Sequence, residues 1–274
     1  MSVVLVSGAT SGVGMLTALA FARAGNEVAA GARSAEGAAA LRQAAAAESL
    51  PLQTVPLDVT SRDSVEQAIG DIRERLGPVD VVVNNAGVVA SGVVESITEE
   101  HARQVLETNF FGPLRLIQAV LPDMRERRRG TIVLIGSLHG RVPAPGAALY
   151  AASKQAAAAL HDALAFEAER FGIRVSTLEL GPYRTGIGSR ALTDPPRSAA
   201  YADLLTALRE RTARRLSESG DPAEVAAAVV SLVGADQAGP LPLRIPVGPH
   251  AAEWLSGDQR GTEFLNRLRA DLGW

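Results

Sequence analysis

The sequence predicts an α/β protein in which helices cover both faces of a mainly parallel sheet. Short runs rich in Val, Ile and Leu alternate with longer segments of helical spacing, the pattern of repeated βα units. Gly and Pro stand where most of these helices should end. The chain has 274 residues, and α/β domains of about 250 residues often fold as one unit. We therefore expect one domain over residues 1–274.

The regular alternation covers the first two thirds of the chain. Strands are predicted at 3–6, 27–32, 52–57, 79–84, 131–136 and 174–180. Helices are predicted at 13–24, 36–47, 64–76, 99–128 and 147–171.

The alternation ends after Gly181. A long irregular segment inside a compact domain is usually functional, so residues 182–217 are predicted to form a substrate loop or lid, with a helix at 201–216. A helix at 222–233 follows. Residues 239–274 are predicted to form a C-terminal extension with a strand at 241–247 and a helical tail at 258–272.

Composition excludes several classes of function. The formal net charge is −3, which gives no reason to expect a nucleic-acid or acidic-membrane partner. There is no cysteine, so disulfides, thiolate nucleophiles and cysteine metal sites are excluded, and no metal is expected. The sequence shows no signal peptide and no run of about 18 apolar residues, so a cytoplasmic protein is expected.

A glycine-rich segment, SGATSGVG at 7–14, links the first strand to the first helix. Gly8, Gly12 and Gly14 permit a tight turn and close approach of a pyrophosphate to the helix N-terminus, where backbone amides stabilise an anion. The spacing differs from the commonest dinucleotide fingerprint, and a plain glycine turn is the alternative. The strand before it and the helix after it favour a dinucleotide.

The end of the second strand should select the cofactor. An acidic residue there would bind the ribose 2′-hydroxyl of NAD, whereas a basic one would pair with the 2′-phosphate of NADP. The chain has Gly31, Ala32, Arg33 and Ser34 at this place. Arg33 favours NADPH over NADH, unless it is simply a surface arginine.

The ends of the next two strands carry further cofactor candidates. Asp58 follows the third strand, and Asn84-Asn85-Ala86-Gly87 follows the fourth. An open α/β sheet binds its ligand at the carboxyl ends of its strands. We expect Asp58 near an adenine amino group and Ala86 and Gly87 against the cofactor, with a loop cap or turn as the alternative.

Tyr150 and Lys154 form the strongest signal. Lys154 is the only lysine among 27 basic residues, and it stands four residues after Tyr150 in YAASK. Positions i and i+4 share a helix face. An ammonium beside a phenol would lower the phenol's pKa and make Tyr150 a competent acid or base. A half-buried Tyr beside an exposed Lys stem is the structural alternative.

In these residues and in the motifs given below, the chain closely resembles the short-chain dehydrogenase/reductase family in its single-domain form. The resemblance covers residues 3 to about 185. Its motifs are SGATSGVG at 7–14, Asp58-Val59, NNAG at 84–87, TNFFG at 108–112, IGSLHG at 135–140, YAASK at 150–154 and LGPYRT at 180–185. It implies a Rossmann-like, doubly wound sheet of seven strands.

The resemblance also implies a catalytic tetrad of Asn109, Ser137, Tyr150 and Lys154. Ser137 would bind the substrate carbonyl, and Tyr150 would donate the proton. Lys154 would lower the pKa of Tyr150 and hold the nicotinamide ribose, and Asn109 would hold a water of the proton relay. The implied cofactor contacts are Gly8, Thr10, Ser11, Gly12, Val13, Gly14, Arg33, Asp58, Val59, Asn85, Ala86, Gly87, Tyr150, Lys154, Pro182 and Thr185.

The sequence departs from the family pattern at three motif positions. Ser7 replaces a usual threonine, Gly136 the first of a serine pair, and Leu180 a proline that precedes the nicotinamide-side loop. None of these changes removes a tetrad residue. The segment 242–248 is similar to the hydroxysteroid and retinol dehydrogenase branch, which lacks a glycine-rich last strand. A homodimer is therefore expected at least as much as a homotetramer.

These observations together predict an NADPH-dependent enzyme that reduces a ketone or aldehyde, or oxidises the corresponding alcohol. The expected substrate contacts are Ser137, Leu138, His139, Val142 and Tyr183, with 88–94, Ala144 and 186–196 lining the pocket. These residues are mostly apolar, which favours a bulky apolar substrate. His139 is otherwise an exposed loop residue. A redox-neutral enzyme such as an epimerase or dehydratase and a non-enzymatic NADP sensor are the alternatives.

Overall fold

A computed structural model of the chain describes residues 1–142, 144–188, 191–234, 239–249, 251–252 and 270. Its main feature is a seven-stranded sheet in the order β3-β2-β1-β4-β6-β7-β9, with every neighbouring pair parallel. The strands are β1 (Val3–Val6), β2 (Glu27–Ala32), β3 (Leu52–Pro56), β4 (Val81–Asn84), β5 (Ala90–Ser91), β6 (Gly130–Ile135), β7 (Ile173–Leu180), β8 (Leu192–Thr193) and β9 (Arg244–Val247).

Helices cover both faces of this sheet, which confirms the Rossmann-like, doubly wound architecture in a single domain. They are α1 (Gly12–Arg23), α2 (Ala35–Ala47), α3 (Arg62–Arg75), α4 (Glu99–Leu106), α5 (Gly112–Arg127), α6 (Ala148–Glu169), α7 (Ala202–Ser217) and α8 (Pro222–Gly234). Side chains of α3, α5 and α6 share one buried cluster with the sheet, and side chains of α1, α2 and α8 share another.

Strand order locates the ligand crevice. From β1 the chain builds β2 and β3 on one side and then crosses to β4 on the other. In parallel sheets the crevice opens at such a switch point, outside the carboxyl ends of the strands. The turns after β1 and β4 therefore border this crevice.

The predicted helix at 99–128 is divided in the structure. It ends as α4 at Leu106, continues through a π-helical turn at Glu107–Phe111, and resumes as α5. Pro113 has no N–H to donate to the carbonyl of Asn109, so one hydrogen bond of the regular α-helical ladder is missing where the π-helical turn meets α5. Periodicity alone could not show the division, because both halves bury the same face.

The prediction also lacked a small second sheet. β5 and β8 pair in parallel, joining Ala90 to Leu192 and Ser91 to Thr193. Strands of two residues are too short to produce a periodic signal. The predicted helix at 201–216 corresponds to α7 and the strand at 241–247 to β9, whereas the tail at 258–272 lies almost wholly outside the described residues.

Candidate active site

The turn between β1 and α1 is shaped by its glycines. Gly8 and Gly12 have φ angles of +62° and +55°, a region that favours residues without a Cβ. A Cβ on Gly8 would lie 2.9 Å from Cα of Ala86. A Cβ on Gly14 would overlap the side-chain amide of Asn85. The turn thus lies directly against the NNAG loop and presents backbone atoms at the start of α1.

Ser7 and Asn85 join these two loops. The Ser7 hydroxyl accepts hydrogen bonds from the backbone N–H groups of Asn85 and Ala86, each at 3.0 Å, and donates to the carbonyl of Val83 at 3.2 Å. The Asn85 side chain donates to the carbonyls of Ser7 and Gly8 at 2.8 and 3.1 Å. Ser7 is 1% exposed, so this junction is protected from competing water.

Arg33 and Asp58 follow β2 and β3, where the sequence predicts the adenine half of the cofactor. Arg33 is exposed just beyond β2, and the next residue, Ser34, caps α2 by accepting the N–H of Gly37 at 3.1 Å. One carboxylate oxygen of Asp58 accepts both the N–H and the hydroxyl of Thr60, at 2.9 and 2.7 Å. Asp58 therefore caps its own loop, which was the structural alternative, and a role toward adenine remains a prediction.

Lys154 lies on α6, with its amine buried at the carboxyl end of β6. Its Nζ donates to the carbonyl of Ile135 at 2.9 Å and lies 5.9 Å from the ring centre of Tyr150. Burial lowers the pKa of the Lys154 amine to about 8. The structure thus excludes the alternative of an exposed lysine stem and brings the two residues together as the i, i+4 spacing predicted.

The pKa of Tyr150 differs from the expectation. Burial raises the pKa of the phenol above its ordinary value, and a hydrogen bond with Ser137 opposes that rise. The predicted lowering of the Tyr150 pKa is therefore wrong for this structure, because desolvation of the phenolate dominates.

Asn109 lies in the π-helical turn and connects the NNAG loop to α6. Its side chain pairs with the backbone of Val88, donating to the carbonyl at 2.9 Å and accepting the N–H at 2.8 Å. It also donates to the hydroxyl of Ser153 at 2.9 Å, which in turn donates to the carbonyl of Tyr150 at 2.7 Å. The side chain of Asn109 is thus committed to fixing the site.

Gly87 shows how closely these groups converge. A Cβ on Gly87 would lie 3.2 Å from Oδ1 of Asn109 and 3.6 Å from Nζ of Lys154. The structure therefore brings the NNAG loop, Asn109, Ser137, Tyr150 and Lys154 to one place at the mouth of the crevice.

Beyond β7, the segment 181–185 returns to the glycine turn. A Cβ on Gly12 would lie 3.5 Å from Cβ of Thr185, and a cofactor contact of Thr185 stays a prediction. Pro182 accepts the N–H of Gly220 through its carbonyl at 3.1 Å.

Tyr183 does not take its predicted place in the substrate pocket. Its ring is 8% exposed and belongs to the core cluster beneath α8, and its hydroxyl donates to Glu224 at 3.4 Å. A Cβ on Gly248 would overlap this hydroxyl, and burial raises the pKa of Tyr183 to about 12. Neighbouring residues of an irregular segment can face opposite sides, so the prediction of substrate contact is wrong here.

The remaining predicted substrate residues form an apolar wall beside Ser137. Leu138 and Val142 are buried, and Leu204, Ala207 and Leu208 of α7 pack against them. The His139 ring is half-buried and stands edge-on to Tyr150 at 6.2 Å between ring centres, with Nδ1 3.1 Å from the carbonyl of Val142. It is therefore not a freely exposed loop histidine.

Residues 192–194 of the predicted lid are tied to the segment after the NNAG loop. β8 pairs with β5, and the N–H of Leu192 donates to the carbonyl of Val89 at 2.8 Å. Asp194 is 7% exposed, lies 2.8 Å from Nδ1 of His101 and accepts the hydroxyl of Thr98 at 3.3 Å. By contrast, residues 186–188 are exposed.

Sequence reasoning did not assign Ser153, Asp194 and His101. Ser153 stands within YAASK, and its neutral polar side chain on the buried face of a helix is a weak signal. The His101 and Asp194 pair has no local signal, because the two residues are 93 positions apart and only the β5–β8 pairing brings them together.

A family model described as short chain dehydrogenase matches residues 2–195. The chain belongs to this family of oxidoreductases. Retinol dehydrogenase 8 of Bos taurus is 35% identical over 246 residues, which are 84% of this chain and 77% of that protein. Among the residues that the structure describes, no helix is both long and apolar enough to span a bilayer.

Solved structures of other family members superpose over nearly the whole chain. A short-chain dehydrogenase from Streptomyces avermitilis has a TM-score of 0.83 at 35% identity, covering 99% of this chain and 94% of that one. A single-substitution variant of actinorhodin polyketide ketoreductase, solved with NADPH, has a TM-score of 0.80 at 30% identity, covering 91% and 97%. A nicotinamide cofactor is thus bound by a close structural neighbour.

Proposed function

We propose that the protein is an NADPH-dependent reductase of a ketone or aldehyde on a bulky apolar substrate, or in reverse an alcohol dehydrogenase. The convergence of Tyr150, Ser137 and Lys154 at the crevice mouth carries this proposal. Their arrangement supplies a proton donor and a second hydroxyl at one point, which is what addition of a hydride to a carbonyl requires.

The crevice suits a dinucleotide. The close approach of Gly8 and Gly14 to the NNAG loop leaves only backbone atoms at the start of α1, where amides bind a pyrophosphate. Thr185 across from Gly12, and Lys154 beside Gly87, would hold the nicotinamide half. When bound, NADPH supplies the hydride that adds to the carbonyl carbon.

The protein's own groups would then move the proton. Because burial raises its pKa, Tyr150 is protonated at neutral pH, and it gives its hydroxyl proton to the oxygen that becomes the alcohol. Ser137 hydrogen-bonds the same oxygen. Lys154 carries a proton below pH 8 and would orient the ribose. Pro113 has no N–H for the carbonyl of Asn109, which supports a relay water at this carbonyl.

Arg33 supports NADPH as the preferred cofactor. No carboxylate stands at 31–34, the guanidinium is exposed at the end of β2, and the N-terminus of α2 begins beside it. A 2′-phosphate would gain a charge-assisted hydrogen bond from Arg33 and a favourable helix end. We expect Arg33→Ala to lower kcat/KM with NADPH by about tenfold or more and to leave that with NADH nearly unchanged.

The substrate class rests on the wall beside Ser137. Leu138 and Val142, which follow Ser137 closely in the chain, are buried against the apolar face of α7. An apolar wall next to a few polar groups favours a hydrophobic substrate. Retinol dehydrogenase 8 and the polyketide ketoreductase are named for retinol and for a polyketide, which supports a bulky substrate.

The decisive experiment follows NADPH absorbance with a panel of steroid, retinoid, aromatic polyketide and cyclic ketones, with NADH as the control. Stoichiometric NADPH consumption is expected, and the reduction rate should fall as pH rises through the Tyr150 pKa. Tyr150→Phe should abolish turnover while NADPH still binds. Product formed without net NADPH consumption would establish the redox-neutral alternative, and NADPH binding without turnover of any carbonyl would favour the sensor.

A further inference from the structure

A buried carboxylate lies behind the Ser137 turn and has no part in the proposed chemistry. Glu179, near the carboxyl end of β7, is 1% exposed. Its Oε1 accepts a hydrogen bond from Arg244 at 3.0 Å, and its Oε2 accepts one from Arg141 at 3.4 Å. Removing a carboxylate from water costs several kcal/mol unless partners compensate. Glu179 is therefore committed to these two guanidinium groups.

Arg244 links this carboxylate to the helix that carries Tyr150 and Lys154. It lies on β9, and its Nε and Nη2 donate to the carboxylate of Asp162 at 2.5–3.2 Å. Asp162 stands on α6, eight residues or about two turns after Lys154. The planar guanidinium of Arg244 therefore fixes the orientation of α6 relative to β7, because its forked hydrogen bonds are directional.

Arg141 links the same carboxylate to Ser137. Ser137 is followed by a single helical turn, closed by a hydrogen bond from the N–H of Gly140 to the Ser137 carbonyl at 2.8 Å. Arg141 is the first residue after this turn. The entry to the turn is also held by β7, since Gly136 donates to the Leu178 carbonyl at 2.8 Å. Arg141 thus connects the end of the turn to β7, the strand that already binds its beginning.

We propose that Glu179 is a positioning residue, which acts through Arg141 on the Ser137 turn and through Arg244 on α6. In this role it keeps the Ser137 and Tyr150 hydroxyls in register. A buried ion pair adds little stability over apolar packing of the same volume, but it does fix orientation. The inference rests on the proposed function, which gives those two hydroxyls a shared oxygen to bind.

Arg141→Gln is the main test, because the Arg141 side chain is 43% exposed and its loss should be tolerated by the fold. We expect kcat for carbonyl reduction to fall about tenfold, since displacements below 1 Å are costly in a reacting geometry. The substrate KM, the Kd for NADPH and the Tm should stay near wild type. Arg73→Gln is the control, as Arg73 is 54% exposed and pairs with Asp123, away from the site; its kcat should not change.

A double-mutant cycle separates positioning from a general structural role. If Arg141 acts through Ser137, Arg141→Gln should cause no further loss of kcat in a Ser137→Ala background. Glu179→Gln should lower kcat as Arg141→Gln does, and it should also lower the Tm, since it leaves Arg244 without one partner.

Two outcomes would overturn the inference. One is an Arg141→Gln enzyme with the same kcat as Arg73→Gln. The other is an equal relative fall in kcat when Arg141→Gln is introduced into the wild-type and into the Ser137→Ala protein. Wild-type protein that reduces no carbonyl would instead contradict the proposed function. An active wild type with an unaffected Arg141→Gln variant would contradict the positioning role alone.

Discussion

The two sides of the crevice are built differently. On the proposed cofactor side, hydrogen bonds of Ser7 and Asn85 join the loops after β1 and β4, and Asn109 joins the NNAG loop to the π-helical turn. On the proposed substrate side, the predicted lid is held by a two-residue strand pair and by Asp194, while residues 186–188 are exposed.

This difference has a physical consequence for variation. A residue of the cofactor side cannot move without disturbing the sheet, because its partners are backbone groups of the core. The exposed segment 186–188 of the proposed substrate side can change its side chains and keep the fold. Substitutions should therefore affect cofactor binding, chemistry and stability on one side, and mainly substrate affinity on the other.

Among substitutions that compare the two sides, the largest effect is expected from Lys154→Arg. The Lys154 amine is enclosed and bound to the Ile135 carbonyl, and a guanidinium is bulkier and differently shaped. We expect kcat/KM to fall by about 10³-fold, in the range of a lost acid–base group. Arg103→Lys, at a pair with 78% exposed side chains, is the control and should retain full activity. Substantial activity of Lys154→Arg would contradict the tight fit of the amine.

The Lys154 amine should also report its surroundings through pH. Because burial lowers its pKa from 10.5 to about 8, the reactive neutral amine appears in the folded protein as pH rises through 8, and in the unfolded chain only near 10.5. The folded protein is acylated at a series of pH values, and the peptide that contains Lys154 is then quantified by mass spectrometry. The extent of its acylation should show a midpoint near pH 8 and should fall when NADPH is bound. The N-terminal amine serves as the internal reference. A midpoint near 10.5 in folded protein would disprove the buried setting.

Gly14→Ala tests the junction on the cofactor side. The added Cβ would overlap the Asn85 amide and lie 2.5 Å from the Gly8 carbonyl, which costs about 1–3 kcal/mol of overpacking. Weaker NADPH binding and a lower Tm are expected together, by calorimetry and thermal denaturation. Gly70→Ala is the matched control, since a Cβ there meets nothing within 4 Å and should stabilise α3 by about 0.5–1 kcal/mol. Equal behaviour of the two variants would refute the close approach.

Asp194→Asn should have the smallest effect and a different character. It removes the negative charge beside His101 and keeps the shape of the side chain, so the end of β8 is less firmly held. We expect the substrate KM to rise by about three- to tenfold, corresponding to the weakening of one largely buried polar contact, with the NADPH Kd unchanged. A fall in NADPH affinity instead would show that the two sides are not separable.

Local patterns of the chain determined most of the fold. Alternating apolar runs and Gly or Pro stops determined the order of strands and helices to within a few residues, because these signals arise from neighbours along the chain. The glycine turn, Tyr150 with Lys154, and the positions of Ser137 and Asn109 were likewise predictable, since each lies in a short motif at a strand end or on one helix face.

The tertiary structure decided what depends on distant partners. The direction of Tyr183 into the core, the pairing of β5 with β8, and the meeting of Asp194 with His101 depend on packing across the molecule, which no local pattern records. The same holds for the pKa of Tyr150. Spacing placed an ammonium near the phenol, but burial of the phenol set the direction of its pKa shift. The sequence shows the single lysine, whereas the burial of its amine and its contact with the Ile135 carbonyl arise only in the folded structure.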